Sequence, residues 1–117
     1  MLTKNKARYT APSAVLIGNP DIGEETWIGH FTVLDGSQGL RIGGNCSVAS
    51  GVHIYSHSTH LLTTEGKPKL CGAVVIGDNV AIGANSVIMY DVTIGDNVCI
   101  PALTVIKPHT RLEKNER

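Results

Sequence analysis

Aliphatic side chains recur at every sixth position through the C-terminal half of this chain. A small or β-branched residue stands two places before each, as at Val74 and Val80, so every repeat has two inward side chains around one outward. This pattern is typical of a short strand, because six is no multiple of the 3.6-residue helical period. An antiparallel hairpin sheet would need longer strands. The pattern predicts an all-β parallel β-helix, a triangular prism with three six-residue sides per coil. The aliphatic positions are Ile76, Ile82, Ile88, Ile94, Ile100, Ile106 and Leu112.

The same frame extends towards the N-terminus, with two extra residues between Ile42 and Leu34. Register is lost around Leu16 and Ile17, so we expect coils over about residues 14–57 and 74–112 within one domain, 1–117. Glycine or asparagine after the strands predicts corners in the left-handed backbone region. The earlier aliphatic positions are Ile54, Val48, Ile42, Leu34, Ile28 and Ile22; the corner residues are Gly23, Gly29, Gly43, Gly77, Gly83, Gly95, Asn45, Asn79 and Asn97.

The six-residue period stops at residues 52–60, where three of the five histidines occur. An irregular polar loop is expected over 58–73. The 22 residues from Ile54 to Ile76 equal three steps plus four residues, which predicts that the loop does not change which wall follows. A loop that interrupts a rigid repeat is usually functional. The frame separates the histidines: His53 belongs to a wall, His57 to a corner and His60 to the start of the loop.

Composition narrows the function classes. Ten basic and ten acidic residues give no net charge, which argues against a nucleic-acid binder. No apolar segment is long enough to span a membrane or to form a signal peptide, so we expect the cytoplasm. Cys46, Cys71 and Cys99 have no CxxC spacing, which favours reduced thiols, and Cys46 and Cys99 are interpreted as small core residues.

With this loop between coils, the sequence resembles the hexapeptide-repeat acyltransferases over residues 22–107. The most similar branch contains the galactoside, maltose and serine acetyltransferases and the sugar O-acetyltransferases. The spacing from His57 to Ile76 and Gly77 fits that branch without a gap. The resemblance implies a left-handed helix, a homotrimer, and acetyl-CoA bound between two prisms as the acyl donor. It also implies a small-molecule sugar acceptor.

The same resemblance assigns residues. His57 takes the place of the catalytic histidine, and His60 falls on a second histidine present in some members. Asp35 matches an acidic residue that contacts the acceptor's hydroxyls, and His30 replaces an acceptor-binding asparagine. Lys107 and Pro108 replace a Thr-Lys pair, and Ala81 replaces a tryptophan beside the CoA arm. The expected cofactor-binding residues are Gly83, Ala84, Ala102 and Lys107.

Thioester acyl transfer needs a base, an oxyanion site and a groove for the carrier. Histidine suits the first task because its ordinary pKa of about 6.5 leaves much of it neutral at pH 7. We therefore predict His57 as the base, and backbone N–H groups at Gly83 and Ala84 as the oxyanion site. Tyr55 either lines the acceptor pocket or packs under the loop. A covalent route through Cys71 is an alternative that lacks a basic partner at a diagnostic spacing.

Two other functions use the same prism. A γ-carbonic-anhydrase-like enzyme binds zinc through three histidines, but no histidine occurs from Val74 to Ile106 to complete such a set, and no metal is expected. A non-catalytic β-helix used for assembly is the other alternative. The leading prediction is an acetyltransferase that acts on a sugar hydroxyl or amino group by direct attack on the thioester.

Overall fold

The computed structural model describes residues 4–115 and contains three five-stranded parallel walls that close a triangular prism. Strands are numbered β1 to β17 in chain order. The first wall consists of β3 (Asp21–Ile22), β6 (Leu40–Ile42), β11 (Val74–Ile76), β14 (Thr93–Ile94) and β17 (Arg111–Leu112). The second consists of β1 (Tyr9–Thr10), β4 (Trp27–Ile28), β7 (Ser47–Val48), β12 (Ala81–Ile82) and β15 (Cys99–Ile100). The third consists of β2 (Val15–Ile17), β5 (Val33–Asp35), β8 (His53–Ile54), β13 (Val87–Ile88) and β16 (Val105–Ile106).

The predicted stacking of aliphatic residues is confirmed along all three walls. Ile76 pairs with Ile94 in the first wall, and Ile94 with Leu112. In the second wall Ile82 pairs with Ile100, and in the third Ile88 pairs with Ile106. These side chains point inward and form one continuous core, in which most are fully buried. The architecture confirms an all-β parallel β-helix and is consistent with its left-handed winding.

The prism begins earlier than the sequence pattern predicted. Leu16, where register was expected to fail, pairs with Leu34 eighteen residues later and is therefore in frame. Thr10 pairs with Ile28 in the same way, and Asn5 forms a bridge with Ile22. The prediction was wrong because polar or small residues occupy several inward positions here, so the aliphatic signal is weak although the backbone ladder continues.

The corner glycines and asparagines have different roles. Asn79 has a φ of 58°, as the pattern predicted, and its side-chain amide bonds to those of Asn45 and Asn97 in the neighbouring coils. Gly83 is not in the left-handed region. A Cβ there would lie 2.3 Å from the backbone nitrogen of Ala102, so glycine is required by the close approach of the next coil. The expectation that these glycines supply left-handed corners was therefore wrong.

The predicted loop, which follows β8 of the third wall, is more ordered than expected. β9 (His57–Ser58) pairs antiparallel with β10 (Leu70–Cys71), and the helix α1 (His60–Glu65) lies between them and ends at Gly66. Ile76 follows on the wall of Ile42, whereas Ile54 lies on the wall of Ile88. The 22 residues from Ile54 to Ile76 therefore consist of one six-residue step, from the third wall to the first, and sixteen inserted residues. The predicted division into three steps and four residues was wrong. α1 is too short to cross a membrane, and no other helix in the described residues could do so.

The outward faces of the three walls differ in chemistry. On the third wall, register places four valines and one histidine in a single outward column. The first wall has charged residues in the equivalent column, including Asp21, Arg41 and Arg111. We call the column on the third wall the valine column: Val15, Val33, His53, Val87 and Val105.

On the second wall Cys99 is exposed beside Ala81, so its expected place in the core was wrong, whereas Cys46 is buried as predicted.

Candidate functional site

A cavity of about 370 Å³ opens at the edge between the third and first walls, where the chain leaves the prism to form the loop. It has an apolar side and a polar side, and the polar side includes the buried carboxylate of Asp35 and the ring of His57. The lining residues are Ile17, Asp35, Tyr55, His57, Ser58, Thr59 and Met89. This combination of apolar surface and convergent polar groups is typical of a small-molecule site.

Asp35 is the electrostatic centre of this edge. It ends β5, and its side chain is completely buried. Oδ1 accepts a hydrogen bond from the backbone N–H of Ser37 at 2.9 Å, and Oδ2 accepts one from the N–H of Ser56 at 3.1 Å. Ser37 lies in the corner that has the two extra residues, so this insertion supplies one of the two backbone donors.

The environment keeps this carboxylate ionised. Burial by itself would raise the pKa of Asp35, but hydrogen bonds from Ser37, Ser56 and His57 outweigh it and lower the pKa from 3.8 to about 2. At neutral pH the site therefore contains a buried, ionised carboxylate whose oxygens accept hydrogen bonds from fixed donors.

A hydrogen bond to the Asp35 carboxylate fixes the position of His57. Its Nδ1 lies 2.7 Å from Oδ2 of Asp35, and the ring is 36% exposed. An ionised carboxylate can only accept a hydrogen bond, so Nδ1 bears the hydrogen and Nε2 of the neutral ring has a free lone pair. The imidazole is therefore fixed in tautomer and orientation, an arrangement that is chemically able to accept a proton at Nε2.

Tyr55 lines the cavity, and its position is fixed by His53. The Nδ1 atom of His53 lies 2.8 Å from the Tyr55 hydroxyl, and the two rings meet edge to face with centroids 5.8 Å apart. His53 thus points outward on the third wall, as predicted, but also contacts a residue of the cavity.

The other residues predicted for the site do not line this cavity. His60 begins α1, is exposed and bonds to Ser58 through Nδ1 at 2.7 Å, without lining the cavity. His30, Gly83, Ala84 and Ala102 lie along the edge between the second and third walls. Lys107 follows β16 on the same edge as His57, two coils further on, which is roughly 10 Å at one coil spacing each.

A second histidine–aspartate pair occurs on the edge of His57. The Nδ1 atom of His109 lies 2.5 Å from Oδ2 of Asp91, and Arg111 bonds to Oδ1 at 2.8 Å and also to the Asp91 carbonyl. Hydrogen bonds from His109 and Arg111 lower the pKa of Asp91. This cluster is exposed and joins the last coil to the preceding one, and none of its residues lines the cavity.

Across residues 4–115, no group of three or more His, Cys, Asp or Glu side chains is arranged to hold a metal ion. His53, His57 and His60, which are close in sequence, are bonded separately to Tyr55, Asp35 and Ser58. The sequence frame had already separated them, but it did not reveal that Asp35 contacts His57. Register aligns Leu34 with Ile54, which makes Asp35 the neighbour of Tyr55, so the six-residue frame alone did not indicate the contact with His57.

Comparison with protein families identifies the repeat. Residues 73–108 match the bacterial transferase hexapeptide family, in the form of six repeats. The match covers less than half of the chain. The predicted resemblance is thereby confirmed for the repeat, and the matched stretch covers the coils from β11 to β16. No curated protein sequence matches the chain.

Several solved structures share the fold. The hexapeptide-repeat acetyltransferase VCA0836 of Vibrio cholerae, complexed with acetyl coenzyme A, is 23% identical, with a TM-score of 0.82 over 97% of this chain and 64% of its own. The N-acyltransferase AntD of Bacillus cereus, in complex with dTDP and 3-hydroxybutyryl-CoA, is 24% identical, with a TM-score of 0.78 over 92% of this chain and 62% of its own. A serine-to-cysteine mutant of AntD, in complex with dTDP-4-amino-4,6-dideoxyglucose and coenzyme A, is 22% identical, with a TM-score of 0.74 over 91% of this chain and 69% of its own.

These likenesses establish the hexapeptide β-helix as the common fold. The chain spans less than two thirds of the first two solved chains. The identity is too low for their ligands to be transferred to this chain directly, so its function has to be argued from its own cavity.

Proposed function

We propose that this protein is an acyl-CoA-dependent acetyltransferase that acetylates an amino or hydroxyl group of a sugar, with His57 as the general base. The observation that supports it is the contact between a fully buried, ionised Asp35 and His57, whose ring also faces an open cavity. His109 also has an aspartate partner, but neither of those two residues lines the cavity.

The chemistry follows from that contact. The acceptor's nucleophilic atom donates a hydrogen bond to Nε2 of His57 and attacks the thioester carbonyl as its proton moves to the ring. Asp35 then stabilises the imidazolium and stays ionised, because its pKa of about 2 is far below the working pH. When the tetrahedral intermediate collapses, the proton on Nε2 is available to the thiolate that leaves.

The acceptor class is inferred from the lining of the cavity. Ser58 and Thr59 contribute polar groups to the lining, and Ile17, Met89 and the Tyr55 ring contribute apolar surface. A pyranose has both polar edges and an apolar face, so its chemistry matches this mixed lining. The solved N-acyltransferase AntD in complex with a dTDP-linked amino sugar makes a nucleotide-linked amino sugar the first acceptor to test.

The donor is inferred from coenzyme A and its thioesters in the similar structures. On this chain Gly83, Ala84 and Ala102 lie on a different edge from His57, so they can meet a thioester at His57 only if they come from a second copy. The proposal therefore includes an assembly in which this edge of one copy faces the His57 edge of the next, as in the homotrimer that the resemblance implies.

The test is direct. Purified protein is incubated with acetyl-CoA and a panel of nucleotide-linked amino sugars and their hydroxyl analogues, and released thiol and product mass are both measured. We expect acetyl transfer to at least one class of acceptor. If no acceptor gains the mass of an acetyl group while thiol release stays at the rate of a blank, the proposed function is wrong.

Self-association is supported by the surface. The valine column presents a flat apolar strip, and its last residue, Val105, is 61% exposed. Phe31 and Leu103 are bulky exposed residues at the neighbouring edge, and both have a positive φ near 60°. Exposed apolar surface of this kind is typical of a protein interface. We infer that copies of this chain pack through the third wall.

A charge on that wall should prevent assembly. We expect Val105→Glu to convert a trimer into monomers in light scattering after size exclusion, because an unpaired carboxylate is costly in an apolar interface. The matched control is Val75→Glu on the first wall, where the valine is 41% exposed and lies between Arg41 and Thr93. Equal masses for both variants and the unmodified protein would contradict packing through the third wall.

A further inference from the structure

The protein has one Trp, three Tyr and one Phe, and three of these five side chains lie together on neighbouring coils near the N-terminus. Tyr9 and Trp27 are register partners on the second wall, with ring centroids 5.0 Å apart. The Tyr9 ring also contacts His30 at 6.4 Å, and the His30 ring contacts Phe31 at 6.1 Å. The four rings form one continuous group that runs from the second wall to its edge with the third. We call it the ring cluster: Tyr9, Trp27, His30 and Phe31.

The ring cluster is exposed to solvent although its side chains are large. Trp27 is 51% exposed and Phe31 is 72% exposed. Phe31 also has a φ of 58°, in the left-handed region, which a bulky side chain adopts only at a cost in free energy. The fold itself gains little from an aromatic ring at such a corner, so the ring indicates a partner outside the chain.

Hydrogen bonds hold the rings at the corner in place. The Oγ atom of Ser13 lies 3.2 Å from Nδ1 of His30 and accepts a hydrogen bond from the backbone N–H of Phe31 at 2.9 Å. One serine of the preceding coil therefore fixes both residues. His30 is exposed, so its Nε2 atom can bond to an external molecule. Fixed aromatic faces beside a polar ring nitrogen suit a planar ring that has hydrogen-bonding edges, and a nucleobase is such a ring.

The height of the ring cluster on the prism relates it to the cavity. Phe31 precedes β5 and Asp35 ends it, so the two residues lie on one coil at opposite edges of the third wall. Copies related by rotation about an axis parallel to the prism keep their residues at the same height. In the proposed assembly, Phe31 of one copy is therefore level with Asp35 on the His57 edge of the next. Gly83 and Ala102, which are proposed for the donor, lie two and three coils further towards the C-terminus. The ring cluster is thus on the acceptor side of His57.

We infer that the ring cluster of one copy binds the nucleobase of an acceptor whose sugar lies in the cavity beside His57 of the adjacent copy. This role rests on the proposed function and makes the acceptor a sugar nucleoside diphosphate, not a free sugar. The base stacks on an aromatic face of the cluster, and its edge bonds to Nε2 of His30. Every base has a face that can stack, so the cluster selects for the presence of a base more than for its identity.

Trp27 is the single tryptophan of the protein, so its fluorescence reports on the ring cluster directly. The full chain is titrated with dTDP, UDP and ADP, and with pyrophosphate as the probe that has no base. We expect each nucleoside diphosphate to quench the fluorescence saturably and pyrophosphate to leave it unchanged. Phe31→Ala should raise the Kd for dTDP about tenfold, because it removes one stacking side chain. Leu103→Ala is the control and should keep the Kd of the unmodified protein. Leu103 lies three coils away on the same edge, with a φ of 60° and 78% exposure.

Fluorescence that no nucleoside diphosphate quenches would overturn this role, and so would a Kd that Phe31→Ala leaves unchanged. If coenzyme A competes with dTDP, the ring cluster holds the adenine of the donor and the assignment to the acceptor is wrong. Fluorescence that changes with protein concentration but not with nucleotide would show that a second copy covers the rings, which also contradicts it. If Phe31→Ala alters the molar mass in light scattering, His30→Ala takes its place and should raise the Kd as well.

The titration is separate from the acetyl-transfer assay, because it contains neither an acetyl donor nor an acceptor sugar. In that assay Phe31→Ala should raise KM for a nucleotide-linked amino sugar about tenfold and leave KM for the same free amino sugar unchanged. Acetyl transfer with equal KM changes for both acceptors would refute nucleobase binding at the ring cluster while the proposed function stands. Saturable quenching without acetyl transfer would refute the proposed function and leave nucleotide binding at the cluster in place.

Discussion

Replacement of His57 by Gln is expected to lower kcat for acetyl transfer roughly 10³-fold, the usual contribution of a general base. Gln has a side-chain N–H that can still donate to Asp35, so the buried carboxylate keeps a partner. The amide cannot take up the acceptor's proton, and the chemical step loses its base. KM for acetyl-CoA should change little, since the proposed role is in proton transfer. The measurement is initial rate by thiol release, with the acceptor identified from the panel.

The chain provides a matched control for this substitution. His109 also has Nδ1 bonded to an aspartate, at 2.5 Å, and lies on the same edge of the prism, but it does not line the cavity. His109→Gln should therefore retain kcat within about threefold. If His57→Gln remains folded by circular dichroism and its kcat falls no more than that of His109→Gln, His57 is not the base.

Replacement of Asp35 by Asn is expected to lower both activity and stability. The amide of the introduced asparagine would donate to Nδ1 of His57, which favours the tautomer with the hydrogen on Nε2, so the nitrogen that faces the substrate is no longer basic. We expect kcat to fall on the order of 10³-fold while KM for the acceptor changes less. A direct role of Asp35 in acceptor binding predicts the opposite, a raised KM with kcat largely retained, and the ratio of the two effects distinguishes these roles.

The loss of stability should depend on pH in a defined direction. The pKa of Asp35 is lowered from 3.8 to about 2 in the folded protein, so the charge stabilises the fold above the unfolded pKa. This contribution, about 2 kcal/mol by linkage, is complete above roughly pH 5 and is lost as the pH falls towards 2. Urea unfolding should therefore show a gap between the unmodified protein and Asp35→Asn at pH 7 that narrows below pH 4.

Asp91→Asn is the comparison for that experiment. Asp91 also has a lowered pKa and a histidine partner, but its side chain is partly exposed and its charges are screened by solvent. Its replacement should cost less free energy of unfolding and leave kcat unchanged. A gap for Asp35→Asn that is independent of pH would show that the carboxylate's charge is not what stabilises the edge.

Much of the fold was predictable because its core has one side-chain type at one spacing. Ile76 stacks on Ile94 and Ile88 stacks on Ile106, as a six-residue period with three walls requires. The N-terminal coils were placed less well, since Thr10 is the register partner of Ile28 but is not aliphatic. There the backbone ladder holds the register without a strong sequence signal.

The site was predictable only in part. His57 was singled out because it is where the rhythm fails, but its contact with Asp35 depends on how a corner with two extra residues folds back, and no local pattern encodes that. The same applies to the hairpin at the base of the loop. Cys71 is the register partner of His57, fourteen positions away, and this antiparallel pairing was hidden within a polar segment without alternation.

The hairpin at the base of the loop has a consequence for how proteins with this fold diversify. Its two strands close the excursion on itself, and the first wall resumes at β11 with the same pairing partners that an uninterrupted prism would have. Because the entropy of closing a loop grows only slowly with its length, segments of other lengths and compositions can be placed between Ser58 and Leu70 at little thermodynamic cost. Under the proposed function, loop exchange between relatives is therefore expected to alter acceptor preference while the core sequence stays constant.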